Sequence, residues 1–393
     1  MKRFAWILVI LFLASPAWAD KKITVQDLKD MLVSLQRLHK TDAEVADELK
    51  KVELTEELTR SAMNGLVSYV SGPYSTEQIY VLEARSAMLP PPVTDLPATP
   101  APDAAAQKAI LDKAVDYTTK TYAQLPHLTA TKTTMRFQDN VAAIAAASGM
   151  HSGGSTMDPN LMEANRYIHY INSTEVPVDT QNGAEKVSTA KDKTKWGQNG
   201  YIALLGQGPV LSSVLQDAQT VGKISWLRWE TINKKPAAVY AFSVDKKKSH
   251  YAVNYCCFPT SEQTGIMRFS STGSAGNLTG DYTAKGTLQT HTDYDQYFKA
   301  TVPYHGEIFV DPDTGIVVRL VLQAEFKSSD DVQQEDQRID YGPVKVDAAA
   351  LVLPIKTVIN TTVAPNGDSG SAKFVIRRTL FTSEYKNYQL AAH

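Results

Sequence analysis

The only two cysteines of the chain, Cys256 and Cys257, stand side by side in HYAVNYCCFP. In an oxidising compartment two thiols usually pair. Neighbours in a regular strand point to opposite faces, so a bond between them requires a turn-like backbone, which Phe258-Pro259 could supply. Two readings stay open: a vicinal disulfide serving as a rigid clip or redox sensor, and a pair of structural thiols. Two cysteines cannot fill a tetrahedral zinc shell, so no metal site is expected from them.

His291-Thr292-Asp293-Tyr294-Asp295 places three potential ligands on one face of a strand. It lacks a fourth, and a solvated polar strand or turn accounts for it equally. His151 followed by Ser152-Gly153-Gly154-Ser155 has the residue types of a nucleophile loop without its Gly-x-Ser-x-Gly spacing. There is no His-Glu-x-x-His, no phosphate-binding Gly-x-x-x-x-Gly-Lys loop and no dinucleotide fingerprint. No catalytic residue, metal or cofactor is assigned on these grounds. An enzyme would have to be a hydrolase assembled from dispersed residues. Lys246-Lys247-Lys248 reads as a solvated hairpin tip. Trp226 and Trp229 are three apart in SWLRWE, which in a regular strand puts them on opposite sides. One could then line a pocket, although core use of both is the simpler expectation.

The elements that must position these residues follow a distinctive start. MKRFAWILVILFLASPAWAD has a basic opening at Lys2 and Arg3, an apolar run from Phe4 to Ala14 and a small-x-small site at Ala17-Trp18-Ala19. That is the anatomy of an export signal covering residues 1–19, with cleavage near Ala19-Asp20. The run is too short for a spanning helix, which needs about 20 apolar residues. The expected location is the periplasm or the extracellular space, with no transmembrane segment in the mature chain. With 40 basic and 42 acidic side chains there is no uncompensated positive charge to suggest nucleic acid.

Residues 20–88 carry four short helical patterns. ITVQDLKDMLVSLQ has Thr24 as N-cap and Leu28, Met31, Leu32 and Leu35 on one face. TDAEVADELKKVEL repeats the scheme from Thr41 with Val45, Leu49 and Val52, and LTEELTRSAMNGL and STEQIYVLEARSAML follow. Each is too short to be stable alone. LPPPVTDLPATPAP, residues 89–102, contains six prolines and reads as a semi-rigid connector. Residues 103–393 then begin with a helix capped by Asp103. From about residue 128 the pattern alternates with period two, with one helical interruption at GPVLSSVLQDAQ.

Within this region EIFVDPDTGIVVRL, residues 307–320, is a β-hairpin around Asp-Pro-Asp-Thr-Gly. Strict alternation along Ile316–Phe326 puts Ile316, Val318, Leu320, Leu322, Ala324 and Phe326 on one dry face. Such a surface must be covered, by core or by a ligand.

The order of EIFVDPDTGIVVRL, then Ile339-Asp340-Tyr341-Gly342-Pro343-Val344, then Leu353-Pro354, then TLFTSEYKNY at Thr379–Tyr388, resembles the C-terminal part of the LolA/LolB/RseB-like periplasmic lipoprotein-carrier superfamily. The whole chain also resembles a family of exported soil-bacterial proteins. The resemblance spans roughly residues 220–390. It implies an α+β fold in which a large curved antiparallel sheet, a half-barrel, is closed by covering helices after an N-terminal helical region. It further implies a space between sheet and helices that holds acyl chains in carriers, or a surface that reads an exported partner in sensors. The expected function is therefore a non-catalytic binder or carrier of a lipid or other apolar molecule in the cell envelope. Phe309, Ile316, Val318, Leu320 and Leu322 would line the site. The alternative is a module that docks another envelope protein. Acyl burial gains about 0.8 kcal/mol per CH₂, so a sixteen-carbon tail could gain at most roughly 12 kcal/mol before ordering costs.

Overall fold

The computed structural model describes residues 21–70, 72–139, 167–181, 183–185, 203–204, 211–220, 223–256, 298–330, 332–363 and 377–391. Residues 1–19, read above as an export signal, and His151, Ser155, Cys257 and His291–Asp295 lie outside them.

The N-terminal unit contains β1 (Lys21–Ile23), α1 (Val25–Arg37), α2 (Asp42–Lys50), β2 (Val52–Leu54), α3 (Arg60–Leu66) and α4 (Pro73–Ser86). Thr24 and Thr41 cap α1 and α2, each as one half of a capping box with Asp27 and Glu44. Val52 is not on the face of α2, as periodicity suggests. The helix stops at Lys50, and Val52–Leu54 pairs in parallel with Lys21–Ile23. Gly72, ahead of α4, has no side chain to cap it. Asp42 reaches across from α2 instead and accepts from the amides of Tyr74 and Ser75, both at 2.9 Å.

α4 is buried nearly all round, as a helix between two layers must be. Ile79 and Leu82 join Leu28, Leu32, Leu49 and Leu58 in the core of the helical unit. Val81 and Ala84 pack instead with Phe137, Val358 and Leu380 of the sheet.

The connector and helix α5 (Ala104–Lys120), capped by Asp103, lead into the sheet strands. These are β3 (Leu128–Gln138), β4 (His169–Gln181), β5 (Ala184–Glu185), β6 (Ala203–Leu204), helix α6 (Leu211–Thr220), β7 (Lys223–Ile232), β8 (Lys235–Val244), β9 (Ala252–Cys256), β10 (Phe298–Thr301), β11 (Tyr304–Val310), β12 (Val317–Ala324), β13 (Val332–Val346), β14 (Ala349–Val363) and β15 (Arg377–Leu390). Ten of them form one antiparallel sheet in the order β5-β4-β3-β15-β14-β13-β12-β11-β8-β7. It is open and curved, not closed into a barrel, and the class is α+β.

The hairpin at 311–315 forms as its residues dictate. Asp311 Oδ1 accepts from the amides of Asp313 and Thr314, and Gly315 takes a φ of +75° that L side chains rarely adopt. The β7–β8 turn uses Asn233 and Lys234, both at positive φ. The Lys246–Lys248 turn is different from the hairpin tip read in the sequence. β8 is already flanked by β7 and β11, so β9 cannot pair with it and joins β6 and β10 in a separate three-stranded sheet.

Both faces of the inner strands of the large sheet are covered. On one, α5 and α6 pack over Tyr240, Phe242, Tyr304, Ile308, Leu320, Leu322 and Tyr341. On the other lie α4 and the residues leading into α3. Among the described residues no helix is long and apolar enough to cross a membrane.

Two β-bulges decide which side chains share a face. In β7 the register with β8 shifts between Trp226 and Arg228, leaving Leu227 outside the alternation and exposed. Trp226 and Trp229 therefore fall on the same face, with ring centroids 4.9 Å apart, edge to face, and do not point to opposite sides. In the hairpin the shift lies between Phe309 and Val310, opposite Arg319 and Val317.

Candidate functional site

The five residues expected to line an apolar site are divided between the two faces. The bulge at Val318 puts Val317, Leu320 and Leu322 in the layer beneath α5 and α6. Phe309 packs on the opposite face with Val239 and Val321, and half-buried Val318 joins them there. Ile316 is half-buried at the end of the hairpin turn. Leu320 and Leu322 are fully enclosed at 0% exposure. Cys256 is the last residue of β9, and its neighbour Cys257 lies outside the described residues.

The structure brings together two polar clusters that the linear pattern does not show. The first sits between the helical unit and the sheet. Glu57, in the segment before α3, accepts from Arg319 of β12 at 3.3 Å and from Arg338 of β13. Asp340 accepts from Arg319 Nε at 2.7 Å and from Arg338 Nε at 3.0 Å. Glu230 extends the chain to Arg319 and to Arg228, and Arg228 also makes a two-pronged pair with Glu307 at 3.0 and 2.8 Å. Both Arg228 and Arg319 lie over the Phe309 ring. Burial opposes ionisation of Asp340, but the guanidiniums of Arg338 and Arg319 hold its carboxyl far below the usual range. Burial pushes the Glu230 carboxyl up, against the pull of Arg228 and Arg319. Every guanidinium has a carboxylate partner, so this cluster is a clasp and has no free group for chemistry.

The second cluster opens to solvent. α6 is amphipathic, and its inner face buries Val214, Leu215 and Ala218 together with one charged residue, Asp217. The Asp217 carboxylate is 2% exposed and satisfied from two elements. Its Oδ2 accepts from the Tyr304 hydroxyl of β11 at 2.9 Å and from the His250 amide at 3.3 Å. Its Oδ1 lies 2.6 Å from His250 Nδ1. The His250 side chain is 69% exposed, so a buried carboxylate orients an exposed imidazole. With Nδ1 donating to Asp217, Nε2 is the nitrogen left to face outward. His250 lines a surface pocket of about 280 Å³ together with Gln216, Thr220, Lys247, Lys248 and Ser249.

Behind this dyad the polar chain continues inward. The Tyr251 ring meets that of Tyr304 at 5.4 Å, and its hydroxyl donates to Glu335 Oε1 at 3.0 Å. Glu335 is 1% exposed, and its second oxygen has no hydrogen-bond partner among the described residues. Burial pushes its carboxyl up to about 8, against the Tyr251 hydrogen bond. Burial also raises the Tyr304 phenol, as do its contacts with Asp217.

Sequence reasoning missed Asp217, His250, Tyr304 and Glu335, which come from four separate elements. One signal was present: Lys246-Lys247-Lys248-Ser249-His250 is an unbroken run of hydrogen-bond donors. An Asp on the apolar stripe of α6 was a second.

No family model, curated protein or solved structure matches the chain.

Proposed function

We propose that this chain is an exported, non-catalytic interaction module that receives an extended segment of another envelope protein along one edge of its large sheet. The observation carrying this reading is the edge strand β4. It pairs with β3 from Leu128↔Thr180 to Gln138↔His169, but on its other side only Thr180 and Gln181 are paired, with β5. Among the described residues, no strand pairs with the outer side of β4 from Ile171 to Asp179, where Val176 is exposed; the amide of exposed Tyr170 is taken by Glu77 Oε1 at 2.9 Å. An edge of this length is a template for strand addition, in which backbone hydrogen bonds give affinity and alternate side chains give selectivity. The opposite edge is handled differently. There the connector lies against β7, and Trp229 Nε1 donates to the Pro100 carbonyl at 3.0 Å. Pro177 limits a partner's pairing at one position of β4.

Export rests on the residues 1–19 pattern, and the choice of a sensor-like role over a carrier-like one rests on packing. A lipid entering beneath α5 and α6 would have to displace Leu320, Leu322, Tyr240 and Tyr304 from a filled layer. The test is site-specific photo-crosslinking in the exporting cell, with the crosslinker at Val176 or Tyr170 and, as control, at exposed Asp116 of α5. A discrete adduct from the β4 positions alone, lost on Ser173→Pro, is the expected result. If β4 and Asp116 give the same pattern, or if a lipid copurifies with the protein and leaves on organic extraction, the edge is not the functional surface.

A further inference from the structure

We propose that the pocket between the C-terminal half of α6 and the β8–β9 turn binds a phosphate-class oxyanion, held by His250 Nε2 and the ammonium groups of Lys247 and Lys248. This site is distinct from the β4 edge and does not depend on it.

The pocket lining is rich in donors. Lys247, Lys248, Ser249, His250 and the Gln216 amide offer donors. Its one acidic residue, Asp217, is not a competitor, because it is buried behind the imidazole and both its oxygens are occupied by His250 and Tyr304. Among the described residues neither lysine has an ion-pair partner that would compete with a bound anion. The Thr220 hydroxyl donates to the Gln216 carbonyl at 2.6 Å, which occupies one of the acceptors at this end of the helix.

The pocket is also built, not merely a place where lysines meet. Lysine ammoniums alone form a diffuse, screened attraction. Here a buried carboxylate holds the imidazole through Nδ1 and the His250 backbone through its amide, and Tyr304 in turn fixes the carboxylate. Tyr304 is itself wedged at 0% exposure against Phe242 and Tyr251. The direction of Nε2 is thus set by the core of the protein, and a charge-assisted hydrogen bond from a pre-aimed donor loses little entropy on forming. The opening, about 280 Å³, accommodates a phosphate group and leaves its remaining substituent in solvent. That geometry suits a free phosphate and the headgroup of a phosphate-bearing lipid alike.

The test follows the His250 Cε1–H resonance of the full-length mature protein during titration with inorganic phosphate, with sodium chloride at matched ionic strength as reference. Parallel arms measure sedimentation with phosphatidylcholine vesicles with or without phosphatidic acid. Saturable movement of the resonance with phosphate and not with chloride is expected. Lys247→Gln with Lys248→Gln, both at the surface, should weaken it by about tenfold or more, with an unchanged unfolding midpoint as the control for folding. Phosphate-reversible sedimentation with phosphatidic acid vesicles would identify the lipid headgroup as a source. Binding of phosphate without sedimentation would identify a soluble one. The proposal is overturned if phosphate moves the resonance no more than chloride does, or if the double variant binds phosphate as the parent does.

Discussion

Glu57→Gln should separate the helical unit from the sheet without unfolding either. The change keeps the side chain's shape and removes its charge, so the effect is electrostatic. Glu57 is 5% exposed at its side chain and is shared by Arg319 and Arg338, each of which is 11% exposed. Taking one partner from a buried ion pair costs about 3–5 kcal/mol, because the opposite charge stays buried and uncompensated. Both arginines keep Asp340, so the lower end, about 3 kcal/mol, applies. At about 1.4 kcal/mol per decade, the docked-to-open equilibrium should shift on the order of 100-fold. Native-state hydrogen exchange reads this directly: amides of α4, the helix shared between the two layers, should exchange on the order of 100-fold faster, while those of β12 and β13 hold their protection. Exchange in α4 changed by less than about threefold would mean that the clasp contributes nothing to docking. Equal acceleration in α4 and β12 would mean that the two layers open only as one unit. Replacing Glu57, Arg319, Arg338 and Asp340 together by apolar side chains of similar volume should recover most of the loss, since Glu230 keeps Arg228 and well-packed apolar side chains avoid the desolvation cost.

Three further outcomes are expected. Glu335 has its carboxyl raised from 4.5 to about 8 in the folded chain, so the native state holds a proton that the unfolded state releases between those values. Stability from this group is full below about pH 4.5 and is lost as pH rises through about 8, at up to about 1.4 kcal/mol per pH unit; Glu335→Gln should flatten urea midpoints measured at pH 5.5 and 8.0. Leu320→Ala should lower stability by about 2–5 kcal/mol with an unchanged urea m-value, as expected of filled core; a loss under about 1 kcal/mol would instead indicate an empty ligand space there. Gly315→Ala should destabilise the hairpin by about 1–3 kcal/mol, because the position has a φ of +75° and a Cβ would run into the Lys113 backbone; calorimetry of the variant checks it.

What could be read from the sequence is what depends on near neighbours. Thr24, Thr41 and Asp103 announced their helices because an N-cap acts on amides two or three residues away. Asp311 through Gly315 announced a hairpin for the same reason, since Asp311 Oδ1 bonds only two and three residues ahead. The clasp and the His250 pocket depend on pairs far apart in the chain. Glu57 and Arg319 are separated by 262 positions, and Asp217 and Tyr304 by 87. Nothing local distinguishes Arg319 from any other arginine in a strand. The Lys247–His250 run was visible, but the carboxylate that aims its histidine lies on another element.

The division of the five expected apolar residues between two faces has a more specific cause, and it bears on function. Counting alternation from Ile316 assumes that no residue of the strand is extra. The bulge at Val318 breaks that count, so Val317 falls in with Leu320 and Leu322, and Val318 with Phe309. The stretch Ile-Val-Val-Arg-Leu-Val-Leu, residues 316–322, held a second clue. It is apolar on both of its alternating sets, which is the mark of a strand covered from both sides, and not of one with a wet back. Its single charge, Arg319, is compatible with such burial because Glu57, Glu230 and Asp340 surround it. A sheet sealed on one face by α5 and α6 and on the other by a clasped helical unit leaves its edges and surface pockets as the places to meet a partner. The two proposed binding surfaces therefore fall at the part of the β4 edge that no strand pairs among the described residues, Ile171–Asp179, and at the pocket beside His250.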